Sequence, residues 1–354
     1  MRRGETLTTP RRSSPRRVAL LAGFALFVSA CSSGGPLDSL DPQGPIAEDI
    51  DGLFRLTLYI AIAIFVLVQG GLLYALVAYR AREGRPEPKQ THGNAKLEVV
   101  WTVIPVIILA SIAVPTVERI FEYTECAPDA KHIEVIGHQW WFEYNYADEG
   151  ITTANVLVIP TDTQICLDMT SEDVIHNFWI PKLNGKRYLI PGQDTVLLLE
   201  APDPGEYWGH CAEFCGLSHA KMRARVQAYD PADYDAWVDE QLGVAVQPAE
   251  GSLEAQGQEI FLAGQCVACH NIDGVNELAG AIGADLLGNG IGPDLTHFAS
   301  RNVFAGATLE LAEPGTLESW LANPPEVKPG SFMPNLNLTA DEIDALAAYL
   351  RSLD

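Results

Sequence analysis

Positive charge is scarce in this sequence. Its 354 residues hold 23 Lys and Arg against 46 Asp and Glu, a net charge of -23. A surface of that sign repels a phosphate backbone, which excludes a nucleic-acid binder. Charge of either sign is thin, at 19% of residues, where ordinary soluble domains carry about 25%. Long apolar runs are also few, which excludes a polytopic channel. Seven cysteines are too few for a disulfide scaffold at this length, and the odd count leaves at least one with a role other than pairing. The length itself argues against a single domain.

What is present divides by region. The first 17 residues hold six Arg (Arg2, Arg3, Arg11, Arg12, Arg16, Arg17) and one acid, Glu5, followed by the uncharged run Val18 to Ala30. This is the layout of an export signal over residues 1–30. The run closes on Val28-Ser29-Ala30-Cys31, which resembles a bacterial lipoprotein cleavage box with Cys31 lipidated. An ordinary small-residue cleavage site leaving a free Cys31 is the alternative. Within residues 31–120, Leu56 to Tyr79 and Val99 to Val117 are long enough to cross a hydrocarbon core. The intervening loop, 80–98, carries Arg80, Arg82, Arg85, Lys89 and Lys96 against Glu83, Glu87 and Glu98. That excess assigns the loop to the cytoplasm and both flanks to the outer face of the membrane.

From about 121 to 230 the chain shows short β-branched and aromatic runs separated by Pro, Gly and Asp, the pattern of an all-β sandwich or barrel. An acidic stretch with Pro231, Pro248 and Gly251 reads as a helix running into a linker over 231–250. Beyond 251 the pattern turns helical. Thr339 and Glu342 form a capping box ahead of Ile343, Leu346, Ala347 and Leu350 on one stripe.

Two motifs carry chemistry. In Cys266-Val-Ala-Cys269-His270, two thiols and an adjacent imidazole are what covalent c-type haem attachment requires. A zinc knuckle needs a second ligand pair, and no Cys follows Cys269. The sixth iron ligand is expected from Met333, the one Met in this region, with His297 as competitor. The second motif, Cys211-Ala-Glu213-Phe-Cys215-Gly-Leu-Ser-His219-Ala-Lys-Met222, gathers two thiolates, an imidazole and a thioether, a soft set that favours copper. Two thiolates suit a pair of copper ions if a further His is supplied, and His176 is available. Zinc, or a Cys211–Cys215 disulfide, remains open for the loop alone.

The run from Lys96 to Met222 resembles subunit II of haem-copper cytochrome c oxidases. The matching segments are Leu97-Glu98-Val-Val-Trp101-Thr-Val-Ile-Pro105, Gly137-His138-Gln139-Trp140, the His176 segment and the ligand loop. The resemblance implies a cupredoxin Greek-key sandwich holding a binuclear copper A centre through His176, Cys211, the Glu213 carbonyl, Cys215, His219 and Met222. Quinol oxidase subunits share the fold without those ligands. Residues 251–354 resemble class I cytochrome c, which implies an all-α domain with His270 and Met333 axial to haem and the Pro293 carbonyl orienting His270. The fusion is similar to caa-type oxidases.

By the same resemblance, Trp140 is the surface residue at which electrons from cytochrome c arrive, although Trp141-Phe142 and His210 depart from the usual pattern. Glu213 also offers its carboxylate to Mg at the boundary with subunit I. Glu98 lies at the mouth of a proton pathway, and a helix N-terminal acid favoured by the macrodipole explains it equally. His138 and Trp179 read as core packing. Cys126 and Cys166 are a candidate disulfide in the exported domain.

The implied function is the electron-accepting subunit of a terminal oxidase, passing electrons to subunit I, which reduces oxygen. A copper A subunit of a nitric oxide reductase, or a self-standing electron carrier, is the alternative. Nearly all the acidity falls outside the membrane by this topology, where it attracts a basic donor such as a soluble cytochrome c.

Overall fold

A computed structural model describes residues 34–81, 83–84, 90–276 and 292–354. The export signal and Cys31 lie outside the described residues, as does part of the 80–98 loop.

Two long helices come first. α1 spans Pro45–Ala78, with Pro45 in its first turn, and α2 spans Ala95–Glu122. Both are longer than the apolar runs because hydropathy marks only the lipid-facing part. At their other ends Ile46, Tyr123 and Cys126 pack on Cys166 and Leu198 of the β-domain. The Asn94 side chain caps α2 by accepting from the Lys96 and Leu97 N–H groups, at 3.2 and 3.3 Å. Glu98 Oε1 accepts from the Asn94 N–H at 3.2 Å, completing the cap. No residue of α2 is buried. An apolar surface of this extent requires lipid, and the pair fits membrane anchoring.

Ten strands follow: β1 Lys131–His138, β2 Trp141–Tyr146, β3 Ile151–Ala154, β4 Val156–Pro160, β5 Ile165–Ser171, β6 His176–Trp179, β7 Lys186–Leu189, β8 Thr195–Leu199, β9 Gly205–Cys211 and β10 Arg223–Tyr229. They form two five-stranded sheets, ordered β3-β2-β1-β5-β8 and β4-β10-β9-β6-β7. Each contains one parallel pair, β1 with β5 and β4 with β10, so the chain crosses between sheets as a sandwich requires. Period-two alternation turns Phe142, Tyr144 and Tyr146 of β2 into the core. There Tyr146 Oη donates to the Val158 carbonyl and accepts from its N–H, both at 2.8 Å. A Cys126–Cys166 disulfide ties the exit of α2 to β5.

The 231–250 segment is more than a tether. Its helix α3, Pro231–Gln241, sets Trp237 against Tyr146 with ring centroids 5.2 Å apart.

The last domain is helical. α4, Leu253–Ala263, crosses α7, Ala340–Arg351, with α5, Thr316–Ala322, and the short α6, Pro324–Val327, between them in sequence. Gly257 permits the crossing, since a Cβ there would collide with the Ala345 carbonyl and Tyr349. The capping box at Thr339 and Glu342 is formed in both directions, and Leu346, Ala347 and Leu350 are buried. A hairpin, β11 Val303–Phe304 and β12 Leu309–Glu310, reaches the sandwich. The Arg223 N–H donates to the Gly306 carbonyl at 2.9 Å, and the Gly306 N–H donates to Asn155 Oδ1 at 3.1 Å.

Candidate functional site

The soft side chains of the 211–222 loop stand together at the end of β9. The loop is shaped by main-chain bonds from Cys211 N–H to the Met222 carbonyl, 2.9 Å, and from Ala212 N–H to the Asn177 carbonyl, 3.0 Å. Gly216 takes φ +115°, and a Cβ there would press on the Gln139 and Trp140 side chains. His176, Cys211, Cys215 and Met222 are all buried.

The two thiols lie 3.8 Å apart, well beyond the roughly 2.05 Å of a disulfide, so the pair is free to ligate. Each has its own imidazole. Cys211 Sγ is 3.9 Å from His176 Nδ1 and 3.3 Å from the Glu213 carbonyl oxygen, while Cys215 Sγ is 3.6 Å from His219 Nδ1 and 3.8 Å from Met222 Sδ. A hydrogen bond from Cys215, and then His176, hold the Cys211 thiol well below its ordinary value against burial; that shared proton and burial push Cys215 up. The other face of His176 is fixed by Asp173, whose Oδ1 lies 2.8 Å from Nε2. Burial lowers the His176 pKa, and the Asp173 carboxylate together with Cys211 more than reverses this. A carboxylate behind a ligating imidazole sets its ring orientation. His176, Cys211 and Cys215 could thus hold a soft metal ion.

The second site is a cavity of about 600 Å³ walled mostly by the helical domain and closed on one side by the sandwich, with Cys266, Cys269, His270, Met333 and Arg301 on one wall and Trp140 on the other. His270 Nδ1 is 2.7 Å from the Pro293 carbonyl oxygen, so the ring donates there and turns Nε2 inward. Gly292 admits the ring, since a Cβ would collide with it. Desolvation lowers the His270 pKa, keeping the imidazole neutral and able to ligate. Arg301, 5% exposed, leaves Nε without a partner, and burial pushes its pKa down to about 10. A cation stranded on an apolar cavity fits an anionic group such as a haem carboxylate. His297 is turned away, its Nε2 2.9 Å from the Gly243 carbonyl oxygen.

Trp140 lies between the sites. It is 6% exposed, not at the surface as the resemblance implies, because the helical domain covers it. Its Nε1–H donates to the Cys215 carbonyl at 2.9 Å, and its ring stacks on Phe332, beside Met333, with centroids 6.1 Å apart and planes 6° from parallel. His138 is buried and stacked on Trp141 at 4.3 Å. Trp179 is half-buried at an edge against His210, at 5.2 Å, rather than in the core.

Sequence reasoning passed over Asp173, Arg301, Lys328 and Phe332. A signal existed for two of them. Residues 251–354 contain three basic side chains, Arg301, Lys328 and Arg351, and the first two are buried.

Fold and sites together define a membrane-anchored cupredoxin joined to a c-type cytochrome. Family models agree along the chain: "Cytochrome C oxidase subunit II, transmembrane domain" matches residues 38–118, "Cytochrome C oxidase subunit II, periplasmic domain" matches 149–229, and "Cytochrome c" matches 254–354. The chain belongs to the cytochrome c oxidase subunit II family, in a form that carries a cytochrome c domain. It is 36% identical to cytochrome c oxidase subunit 2 of Alkalihalophilus pseudofirmus, over 94% of this chain and 95% of that one. Identity is 31% to the Bacillus subtilis protein of that name, covering 96% and 97%, and 33% to that of Bacillus sp. strain PS3, again covering 96% and 97%. The subunit II domain implies copper A, the cytochrome domain implies haem c, and the family implies association with subunit I of a haem-copper oxidase.

Proposed function

We propose that this chain accepts electrons in its cytochrome domain and delivers them through the 211–222 loop to subunit I, where oxygen is reduced to water with proton translocation. Haem c and binuclear copper A supply the one-electron carriers. Cys266 and Cys269 would hold the haem by thioethers and His270 and Met333 would ligate its iron, while the Pro293 carbonyl fixes the His270 tautomer and Arg301 would offset the haem carboxylates. His176, Cys211, the Glu213 carbonyl, Cys215, His219 and Met222 would hold the two copper ions. The preformed loop keeps these donors in place whichever charge state the metal carries. Trp140 carries the reading: one side chain touches Phe332 beside Met333 and the backbone of Cys215, linking the two sites.

Around this core, residues 1–30 act as a lipoprotein signal leaving Cys31 lipid-anchored, and both soluble domains, 121–230 and 251–354, lie on the outer face with 231–250 between them. A basic soluble cytochrome c is the donor. Glu213 shares a Mg ion with subunit I, and Glu98 stands at the mouth of a proton pathway. Oxygen uptake by the purified complex with reduced cytochrome c tests the reading. Oxidation of the cytochrome domain without oxygen consumption overturns it.

A further inference from the structure

The face of the sandwich that carries Trp140 is covered by residues 327–333 of the helical domain, and the contact is made largely by side chains seeking carbonyls. Ser218 Oγ donates to the Pro329 carbonyl at 2.6 Å, and Lys221 Nζ donates to that of Val327. At the centre is Lys328, 5% exposed. Its Nζ donates to the Trp140 carbonyl at 2.5 Å and to the Ala305 carbonyl at 2.9 Å, one acceptor from each domain.

We propose that Lys328 is a positioning residue that locks the helical domain over Trp140, so that electrons reach the copper loop only by way of the haem domain and a soluble donor has no direct access. The inference rests on the reading of Trp140 as the link between the sites.

Burying an ammonium with no carboxylate in contact is costly, so cohesion alone does not account for Lys328; an apolar side chain would pack the same space without the charge. Its contribution is register. Two carbonyls fixed in separate domains meet on one nitrogen, and a shift of either domain leaves an acceptor buried and unpaired. Burial pushes the Lys328 pKa down to about 7, Cys215 raises it and Lys221 lowers it further. The neutral amine still carries two N–H groups for its two acceptors, so the lock survives loss of the proton. Gly306 completes the fit: at φ +75°, it sits where a Cβ would collide with both Lys328 Nζ and the Trp140 carbonyl.

The test uses the complete oxidase with Lys328→Met. After photoreduction of haem c, electron transfer to copper A is expected to slow severalfold, since a tunnelling rate falls steeply as the route through Trp140 lengthens. The spectra and potentials of both centres are expected to stay unchanged, and mixing with a reduced soluble cytochrome c should now reduce copper A ahead of haem c. An unchanged transfer rate with copper A still reduced second overturns the proposal. If Lys328→Met fails to assemble, Gly306→Ala displaces the same contact with the lysine intact, and the same readouts decide. Trp140→Leu separates the two readings: no slowing there removes Trp140 as the link, while the order of reduction in Lys328→Met still decides the lock.

Discussion

In the sandwich, the metal-binding side chains already stand in place: two thiols 3.8 Å apart, each beside its own imidazole, with Asp173 behind one ring. The helical domain instead walls most of a cavity of about 600 Å³ that reaches Trp140 of the sandwich, with Arg301 Nε unpartnered on its wall. The ten strands bury Cys211, Cys215 and Met222 within their own hydrophobic core, and main-chain bonds from Cys211 to Met222 and from Ala212 to Asn177 of β6 hold the loop in shape. The helices of the last domain pack Phe261, Leu346 and Leu350 into an apolar core along one side of that cavity. One site is thus filled by its own donor side chains, and the other is left open at the size of a haem.

The sharpest way to break that contrast is to remove covalent attachment. Cys266→Ala with Cys269→Ala should abolish the haem adduct by mass spectrometry and erase the melting transition of the helical domain, while the sandwich keeps its copper. A surviving helical transition would show that the core closes unaided. Next in size, Met333→Ala should remove the low-spin haem spectrum and lower the potential, since Met ligation raises it; an unchanged spectrum rejects Met333 as ligand. On the other side, Asp173→Asn should weaken copper binding about 10- to 100-fold in a chelator competition and leave the melting temperature of the sandwich in place.

A pH effect links the two regions. The folded pKa of Lys328 lies at about 7, below the ordinary lysine value, so the undocked state binds more protons between those values. Docking should strengthen as pH rises from about 7 toward the ordinary lysine range and be weakest below it. Calorimetry should show the domains melting more cooperatively at about pH 9 than at about pH 6, with the difference lost in Lys328→Met. The smallest effect is expected from Glu310→Gln. It loosens a half-exposed carboxylate 3.4 Å from the buried Arg225 guanidinium, and the loss is small because Arg225 keeps Glu206 at 3.2 Å and the Trp208 ring at 3.4 Å.

Much of the site was legible because its chemistry is local in sequence. Cys266, Cys269 and His270 are adjacent, and Cys211 to Met222 fall within one loop, so spacing reports geometry directly. The helix start at Thr339 was equally readable, since a cap is written in three or four residues. His176 is the exception: it lies on β6, far from the loop in sequence, and was reached by counting the ligands that two copper ions need rather than by spacing. Asp173 went unseen because an acid three residues before a His is common, and only the turn into β6 makes it a partner.

The linear chain thus determined which chemical groups are present, which segments are apolar enough for lipid, and which domains follow one another. Tertiary structure alone decided how the two redox domains meet. Whether Trp140 faces solvent or a second domain depends on contacts from residues more than a hundred and eighty positions away, and such contacts leave no periodic or spaced trace in sequence. A lysine reads as a solvated charge until the fold removes its water and gives it two carbonyls, one from each domain.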